Sequence, residues 1–219
     1  MIEIYPSLIS ADLLHLQESM DALSKTADGW HLDVMDNHFV PNLTWGAQFM
    51  NAIALQTDKK LWVHLMIDNP TAFLDTLFLP HQSYITFHIE TKDDIPSLIA
   101  AIKKKHWRPS IAINPTTDIR ECFPYVKEVD QVLIMSVEPG FSGQTLIPDA
   151  LKKIVPLKHA IKEQESKAVI AIDGGINRDN IAAIAQLGVQ QFGIASGIFS
   201  YPDPAHELRQ LKDMLKSNT

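Results

Sequence analysis

The stretch Trp30-His31-Leu32-Asp33-Val34-Met35 is short and almost continuously apolar, with two polar residues that are two positions apart. Runs of the same kind recur through the chain, at residues 3–8, 61–67, 84–89, 110–114, 131–137, 168–173 and 191–195. Near-continuous apolar runs are typical of strands that are covered on both faces in a parallel sheet. The sequence therefore predicts eight buried parallel strands.

Helix-like segments lie between these runs, at residues 11–24, 72–79, 95–105, 151–164 and 180–188, the last of which ends at a glycine that can cap a helix. Alternation of strands and helices at a mean spacing of about 27 residues predicts a compact (β/α)8 TIM barrel. A doubly wound open sheet is the alternative architecture. No linker-like composition divides the chain, so we expect one domain over residues 1–219.

Composition limits the classes of function. The chain has 219 residues, a formal net charge of -7 and a single cysteine, Cys122. An acidic chain offers no basic surface for a nucleic acid or an anionic membrane. A single cysteine excludes an internal disulfide and favours a reducing compartment. The start of the chain has no signal-peptide pattern and no apolar run is long enough to span a membrane, so we expect a cytoplasmic protein.

Polar side chains fall near the carboxyl ends of the predicted strands, where a TIM barrel carries its chemistry. His31 and Asp33 point to the same face of one strand, and His64 and Asp173 lie in two others. Because burying unpaired charges costs several kcal/mol, such groups are usually paired or bound to metal. Two imidazoles and two carboxylates suit a divalent ion such as Zn²⁺, Fe²⁺, Mn²⁺ or Co²⁺.

An ordered set of motifs runs along nearly the whole chain. The motifs are Pro6-Ser7-Leu8-Ile9-Ser10-Ala11-Asp12, His31 to Asp36, His38-Phe39-Val40-Pro41-Asn42, His64-Leu65-Met66, Asn114-Pro115, Met135 to Gln144, Asp173-Gly174-Gly175-Ile176 and Ser196-Gly197-Ile198-Phe199. In this order the set resembles the ribulose-phosphate 3-epimerase family. The resemblance implies a TIM barrel of the ribulose-phosphate-binding type.

The resemblance also implies a reaction. In that family one divalent metal is held by two histidines and two aspartates, which correspond here to His31, Asp33, His64 and Asp173. The metal would bind the C2 and C3 oxygens of a ketose phosphate and stabilise an enediolate. Asp33 and Asp173 would alternate as base and acid on the two faces of C3. The implied conversion is D-ribulose 5-phosphate to D-xylulose 5-phosphate.

Substrate contacts are implied in the same way. They fall on Ser7, Met35, His64, Met66, Met135, Gly140, Phe141, Gly143, Gln144, Gly174, Gly175, Ala195 and Ser196. The methionines would line the sugar pocket, backbone amides of the glycine-rich loops after the last two strands would bind phosphate, and residues 140–144 would close over the substrate. The family also implies a homo-oligomer. Two departures are Asn37 and Ala195, where the family usually has glycine.

Other functions remain open at this stage. One is an epimerase of a related ketose 6-phosphate such as allulose 6-phosphate, and another is a non-catalytic phosphosugar-binding homologue. Retention of all four charged or imidazole groups argues against the second, because a degenerate copy has no reason to keep buried charges. A phosphosugar lyase of similar barrel design is disfavoured, because the third strand reads Val63-His64-Leu65-Met66 and lacks the lysine that such enzymes carry.

Overall fold

A computed structural model describes residues 2–216. Its centre is an eight-stranded sheet in which each hydrogen-bonded pair of neighbouring strands is parallel. The strands are β1 Glu3–Pro6, β2 Gly29–Met35, β3 Lys60–Met66, β4 Tyr84–His88, β5 Arg108–Ile113, β6 Gln131–Met135, β7 Val169–Asp173 and β8 Gln191–Ile194. All eight predicted strands are present, with boundaries within two residues of the predicted ones.

The sheet closes on itself. Its order is β1-β8-β7-β6-β5-β4-β3-β2, and a parallel bridge between Ser7 and His31 joins the two end strands just beyond β1. The prediction of a (β/α)8 barrel is therefore confirmed, and the open doubly wound sheet is excluded.

Eight α-helices accompany the strands within the described part of the chain. They are α1 Leu16–Leu23, α2 Ala47–Leu55, α3 Pro70–Leu74, α4 Ile95–Lys104, α5 Ile154–Glu163, α6 Ile181–Leu187, α7 Ser196–Phe199 and α8 Pro204–Lys216. The caps explain several boundaries. Asp94 accepts a hydrogen bond from the Ser97 amide at the start of α4, and Gly188, with φ +117°, ends α6 as predicted.

Two predicted helices differ from the structure. The segment predicted over residues 11–24 begins with a 3-10 turn at Leu13–His15, and α1 starts only at Leu16. The segment predicted over residues 72–79 is the five-residue α3, which ends at Leu74. Its start is set by Asn69, whose side chain accepts from the Ala72 amide, and by Pro70 in the first turn. Apolar periodicity did not register these local capping contacts.

The strand side chains alternate between the outside and the inside of the barrel. The outward set, for example Leu32 and Val63, forms the main core beneath the helices. The inward set includes a second apolar cluster with Tyr5, Trp62 and Leu133. Polar inward side chains lie beyond this cluster at both ends of the barrel. The carboxyl-terminal end, called the mouth below, contains the candidate site.

Two further expectations bear on the rest of the molecule. Among residues 2–216, no helix is both long enough and apolar enough to cross a membrane. Cys122 is fully buried, and burial raises the pKa of its thiol to about 12. At neutral pH this thiol is protonated and has no nucleophilic character.

Candidate active site

Four side chains converge inside the mouth: His31 and Asp33 from β2, His64 from β3 and Asp173 from the end of β7. His31 and Asp33 point the same way because they are two residues apart in one strand. The parallel register pairs Asp33 with His64, while β1 and β8 separate β2 from β7. One nitrogen or oxygen atom of each side chain lies within 4.8 Å of the others. We name these four residues the His/Asp cluster.

Asp33 lies between the two imidazoles. Its Oδ1 is 3.2 Å from Nδ1 of His64, and its Oδ2 is 3.3 Å from Nδ1 of His31. Ser7 donates a 2.6 Å hydrogen bond to Oδ2 of Asp33. Oδ2 of Asp173 approaches from across the mouth, 3.8 Å from Nδ1 of His64 and 3.9 Å from Nε2 of His31. The four side chains therefore face one small shared space.

His31 is the least satisfied member of the cluster. It is completely buried, and neither ring nitrogen has a hydrogen-bond partner among the described residues. Buried polar atoms are rarely left unpartnered unless a ligand, ion or water completes them. Together with the borderline nitrogen and oxygen donor set, this observation fits a divalent metal ion of the Zn²⁺, Mn²⁺, Fe²⁺ or Co²⁺ type. The cluster could hold such an ion.

The two carboxylates have opposite pKa shifts. Burial would raise the pKa of Asp33, but the imidazoles of His31 and His64 offset burial and hold it well below its usual range. Burial raises the pKa of Asp173 to about 7, and the negative charge of Asp33 adds to the effect. At His31, burial is outweighed by the two carboxylates, which raise its pKa. Carboxylates with separated pKa values can serve as a base and an acid at neutral pH.

A pocket with an empty volume of about 510 Å³ lies above the cluster. Asp33 and Asp173 reach it, and three methionines, Met35, Met66 and Met135, form part of its wall. Met35 and Met66 are paired in the β2–β3 register, and all three are buried. The pocket thus joins two carboxylates to an apolar wall, a combination found in small-molecule sites.

Glycine-rich loops after β7 and β8 form another wall, with Gly174, Gly175, Ala195, Ser196 and Gly197. Gly175 has φ +65°, and a Cβ atom there would lie 2.4 Å from the backbone nitrogen of Leu146. A Cβ atom on Gly197 would lie 2.1 Å from the carbonyl oxygen of Ile176. Both positions therefore require glycine for the loops to pack this closely.

The segment after β6 covers a third side of the pocket with Gly140, Phe141, Gly143 and Gln144. Asn42 Nδ2 donates a 2.6 Å hydrogen bond to the carbonyl oxygen of Gly140. Gln144 Nε2 donates to the carbonyl oxygens of Glu138 and Phe141. Phe141 itself is more than half exposed. Side chains thus tie this segment to the loop after β2 without burying its aromatic residue.

Comparison with known proteins decides the family. Residues 3–199 match the model of the ribulose-phosphate 3 epimerase family. The chain belongs to this family. The motifs that suggested the resemblance are the same residues that form the His/Asp cluster and the pocket wall.

Curated epimerases match over nearly their full length. A ribulose-phosphate 3-epimerase of Oryza sativa subsp. japonica, described as a cytoplasmic isoform, is 34% identical and covers 99% of this chain and 95% of its own. The ribulose-phosphate 3-epimerase of Mycobacterium tuberculosis is 35% identical, with coverages of 95% and 91%. That of Methanocaldococcus jannaschii is 36% identical, with coverages of 97% and 91%.

Solved structures support the barrel. A 3-hexulose-6-phosphate synthase from Salmonella typhimurium superposes with a TM-score of 0.70, at 19% identity and with full coverage of both chains. A Streptococcus mutans protein titled KGPDC, solved in complex with a phosphosugar, superposes with a TM-score of 0.72 at 14% identity, covering 99% of this chain and 98% of its own. At such low identity the likeness shows the fold alone.

The structure places most predicted epimerase site residues around one pocket. Asp33, Asp173, the three methionines, the glycines, Phe141, Gln144, Ala195 and Ser196 line it. Ser7, His31 and His64 lie beneath its floor and touch Asp33. Ser7, predicted as a substrate contact, therefore makes its hydrogen bond to a carboxylate of the cluster. The roles assigned to these residues stay predictions.

The two departures from the family pattern have different consequences. Asn37 has φ +59°, the left-handed conformation that asparagine tolerates better than most residues, so the turn after β2 is preserved. Ala195 lies in the pocket wall, where its methyl group occupies space that a glycine would leave open.

Sequence reasoning gave little weight to His88 and Glu90. His88 is buried at the end of β4, and its Nε2 lies 2.8 Å from Nε2 of His64. Burial lowers the pKa of His88 to about 4. Nδ1 of His88 lies 3.3 Å from Oε2 of Glu90. A histidine and a glutamate two apart at a strand end were the available signal, but only the fold brings them to His64.

Proposed function

We propose that the protein epimerises D-ribulose 5-phosphate and D-xylulose 5-phosphate at C3, with Asp33 and Asp173 as the two acid-base groups. One observation carries the proposal. Two carboxylates from strands on different sides of the mouth reach one pocket, and their pKa values are shifted in opposite directions. Family membership supports the same reaction.

Inversion at C3 requires a proton to leave one face of the sugar and a proton to arrive at the other face. The ionised carboxylate takes the C3 proton, and the electron pair of the C–H bond moves into the enediolate. The protonated carboxyl group then delivers its proton to the opposite face of C3. A carboxyl group that is protonated near pH 7, as Asp173 is before any ion binds, suits the second role.

We assign the metal ligands to His31, Asp33, His64 and Asp173, the four residues whose donor atoms lie within 4.8 Å of one another. Zn²⁺, Fe²⁺, Mn²⁺ or Co²⁺ is the favoured ion, since imidazole and carboxylate donors suit this group. When bound, such an ion supplies Lewis-acid stabilisation of the negative charge that develops on the substrate oxygens.

The remaining pocket residues would orient the sugar and exclude water. Met35, Met66 and Met135 provide an apolar surface beside the reacting carbon. Amides of Gly174, Gly175, Ala195 and Ser196 would bind the phosphate, which needs no arginine and agrees with the acidic composition. Gly140, Phe141, Gly143 and Gln144 would cover the bound substrate, and Ser7 and His64 would act from below.

We also infer a cytoplasmic location and assembly with further copies of the chain. The first is supported by the rice relative, which is described as a cytoplasmic isoform. The second is supported by Leu55 and Phe78, which are 84% and 77% exposed. Asn51 connects their segments by hydrogen bonds to the carbonyl oxygen of Thr76 and the amide of Phe78. Sedimentation equilibrium tests the assembly, and a monomer at micromolar concentration would contradict it.

The reaction is tested by exchange with deuterated water. Metal-loaded protein is incubated with D-ribulose 5-phosphate, and NMR follows both the appearance of D-xylulose 5-phosphate and deuterium at C3. We expect both signals, because the delivered proton comes from a carboxyl group that exchanges with solvent. Allulose 6-phosphate is run in parallel. Faster exchange with the hexulose phosphate would replace the proposed substrate, and no exchange with either sugar would contradict the proposed function.

A further inference from the structure

A line of contacts leads away from the His/Asp cluster. Nε2 of His64 faces Nε2 of His88 at 2.8 Å, and the two imidazole planes are only 18° apart. Nδ1 of His88 in turn faces Oε2 of Glu90 at 3.3 Å. His64 and His88 are fully buried, so water does not compete for these nitrogens.

Glu90 is held rigidly at the far end of this line. Its Oε1 accepts hydrogen bonds from the Asn114 amide at 2.9 Å and from Thr117 Oγ1 at 2.5 Å. Lys153 Nζ donates to the carbonyl oxygens of Asn114 and Thr117. These contacts connect the end of β4 to the loop after β5. They leave Oε2 of Glu90 free to face His88.

The surroundings of His88 decide which ring nitrogen carries its proton. Nδ1 of His88 and Oε2 of Glu90 are both buried, and neither has another hydrogen-bond partner in the described part of the chain. Because a carboxylate oxygen can only accept, Nδ1 of His88 must be the donor. Nε2 of a neutral His88 is then an acceptor, and the proton between the two rings belongs to Nε2 of His64.

The consequence for His64 concerns the metal. With its proton on Nε2, Nδ1 of His64 carries a free lone pair. That same Nδ1 faces Oδ1 of Asp33 at 3.2 Å and Oδ2 of Asp173 at 3.8 Å. The opposite tautomer would put a proton on the atom that faces the other three ligands. It would also point the lone pair of His88 Nδ1 at the Glu90 carboxylate.

We propose that His88 and Glu90 are positioning residues, which hold the proton of His64 on Nε2 and so present Nδ1 to the metal. The inference rests on the metal site of the proposed function, but not on the identity of the sugar. Partners that orient a metal-bound histidine in this way typically change metal affinity by about 10- to 100-fold when they are removed.

Metal affinity provides the first test. Competition between the protein and a chelator for Zn²⁺ is measured for the wild type, His88→Phe, His88→Gln and Glu90→Gln. We expect His88→Phe to lose about 10- to 100-fold in affinity. His88→Gln should recover part of that loss, because its amide oxygen can accept from His64. Glu90→Gln should lose less than His88→Phe, since its side-chain oxygen can still accept from His88.

Phe39→Leu is the matched packing control. The ring of Phe39 packs on His88, with centroids 4.8 Å apart, but forms no hydrogen bond to it. This variant should therefore bind Zn²⁺ close to the wild-type affinity. An equal loss in Phe39→Leu and His88→Phe would show that only packing matters, and the proposal would be overturned.

Imidazole ¹⁵N NMR of the Zn²⁺-loaded wild type reads the tautomers directly, whether or not any variant folds. We expect a proton on Nε2 of His64 and on Nδ1 of His88. A proton on Nδ1 of metal-loaded His64 would refute the inference while leaving the epimerase intact. If the wild type binds no divalent ion at all, the metal site of the proposed function fails first, and the inference fails with it.

Discussion

The two ends of the barrel interior are both polar, but they are built differently. At the amino-terminal end, called the floor below, Gln131 Oε1 accepts from Ser110 and Thr86, and Gln131 Nε2 donates to Gln191 at 2.6 Å. Gln191 in turn donates to Glu3 at 2.6 Å. None of these side-chain atoms is both buried and unpartnered among residues 2–216.

The mouth has the opposite character. Both ring nitrogens of His31 are buried without hydrogen-bond partners among the residues described, and Asp173 has its pKa raised to about 7 by burial and by the charge of Asp33. A satisfied buried network stabilises and rigidifies a fold, whereas an unsatisfied one stores binding capacity for a ligand. The comparison teaches that floor residues should affect folding, and mouth residues should affect metal binding and turnover.

The largest effect should come from the mouth. Asp33→Asn and Asp173→Asn should each lower turnover by about 10³-fold or more, because each removes one of the two proton-transfer groups. Both proteins should still unfold cooperatively, since the substitution keeps the side-chain size and removes a buried charge. Turnover is measured by coupled assay and folding by circular dichroism.

Asp68→Asn is the control for these two variants. Asp68 follows β3 at the same end of the barrel, but its carboxylate is 42% exposed and pairs with Lys92. It should retain wild-type turnover. Substantial turnover in either Asp33→Asn or Asp173→Asn would exclude the two-carboxylate mechanism.

The next effect should come from the floor. Gln131→Leu should reduce the free energy of unfolding by about 3 kcal/mol, because it leaves the Ser110 hydroxyl and Gln191 Oε1 buried without their partner. Chemical denaturation measures the change. Turnover per folded molecule should stay at the wild-type value, and a selective loss of turnover would mean that the two ends are coupled.

A smaller effect should separate the ends by pH. In the metal-free protein the pKa of Asp173 is raised to about 7 and that of His31 is also raised. Both groups must lose their protons to bind an ion, so acid competes with the metal. Zn²⁺ affinity should fall by about tenfold for each pH unit below 7 and level off above it. Calorimetric titration checks this, and an affinity independent of pH between 5 and 7 would contradict the assignment of these ligands.

The smallest effect should again lie at the floor. The Tyr84 hydroxyl accepts from Arg108 Nη1 at 3.0 Å and from Gln191 Nε2 at 3.1 Å. Arg108 and Gln191 also donate to Gln82 and Glu3, respectively, so Tyr84→Phe leaves neither without a partner. We expect a loss of about 1 kcal/mol in the free energy of unfolding. A loss as large as that of Gln131→Leu would show that the floor network is more cooperative than its separate contacts indicate.

Local sequence determined much of this protein. The apolar runs set the number and direction of the strands, because only a parallel sheet that is covered on both faces buries such runs completely. The spacing of His31 and Asp33 put both on one face of β2, because side chains alternate along a strand. Together with the ordered motifs, these features predicted the barrel and the composition of the His/Asp cluster.

Other features depended on distances that local patterns do not contain. The tertiary structure separated the pKa values of Asp33 and Asp173, which depend on burial and on charges from three strands. It also brought His88 against His64 and left Nδ1 of His88 facing Glu90. A sequence states which polar groups must be buried. Only the closed barrel decides which of them find partners, because hydrogen bonding and desolvation act over a few ångströms between residues far apart in the chain.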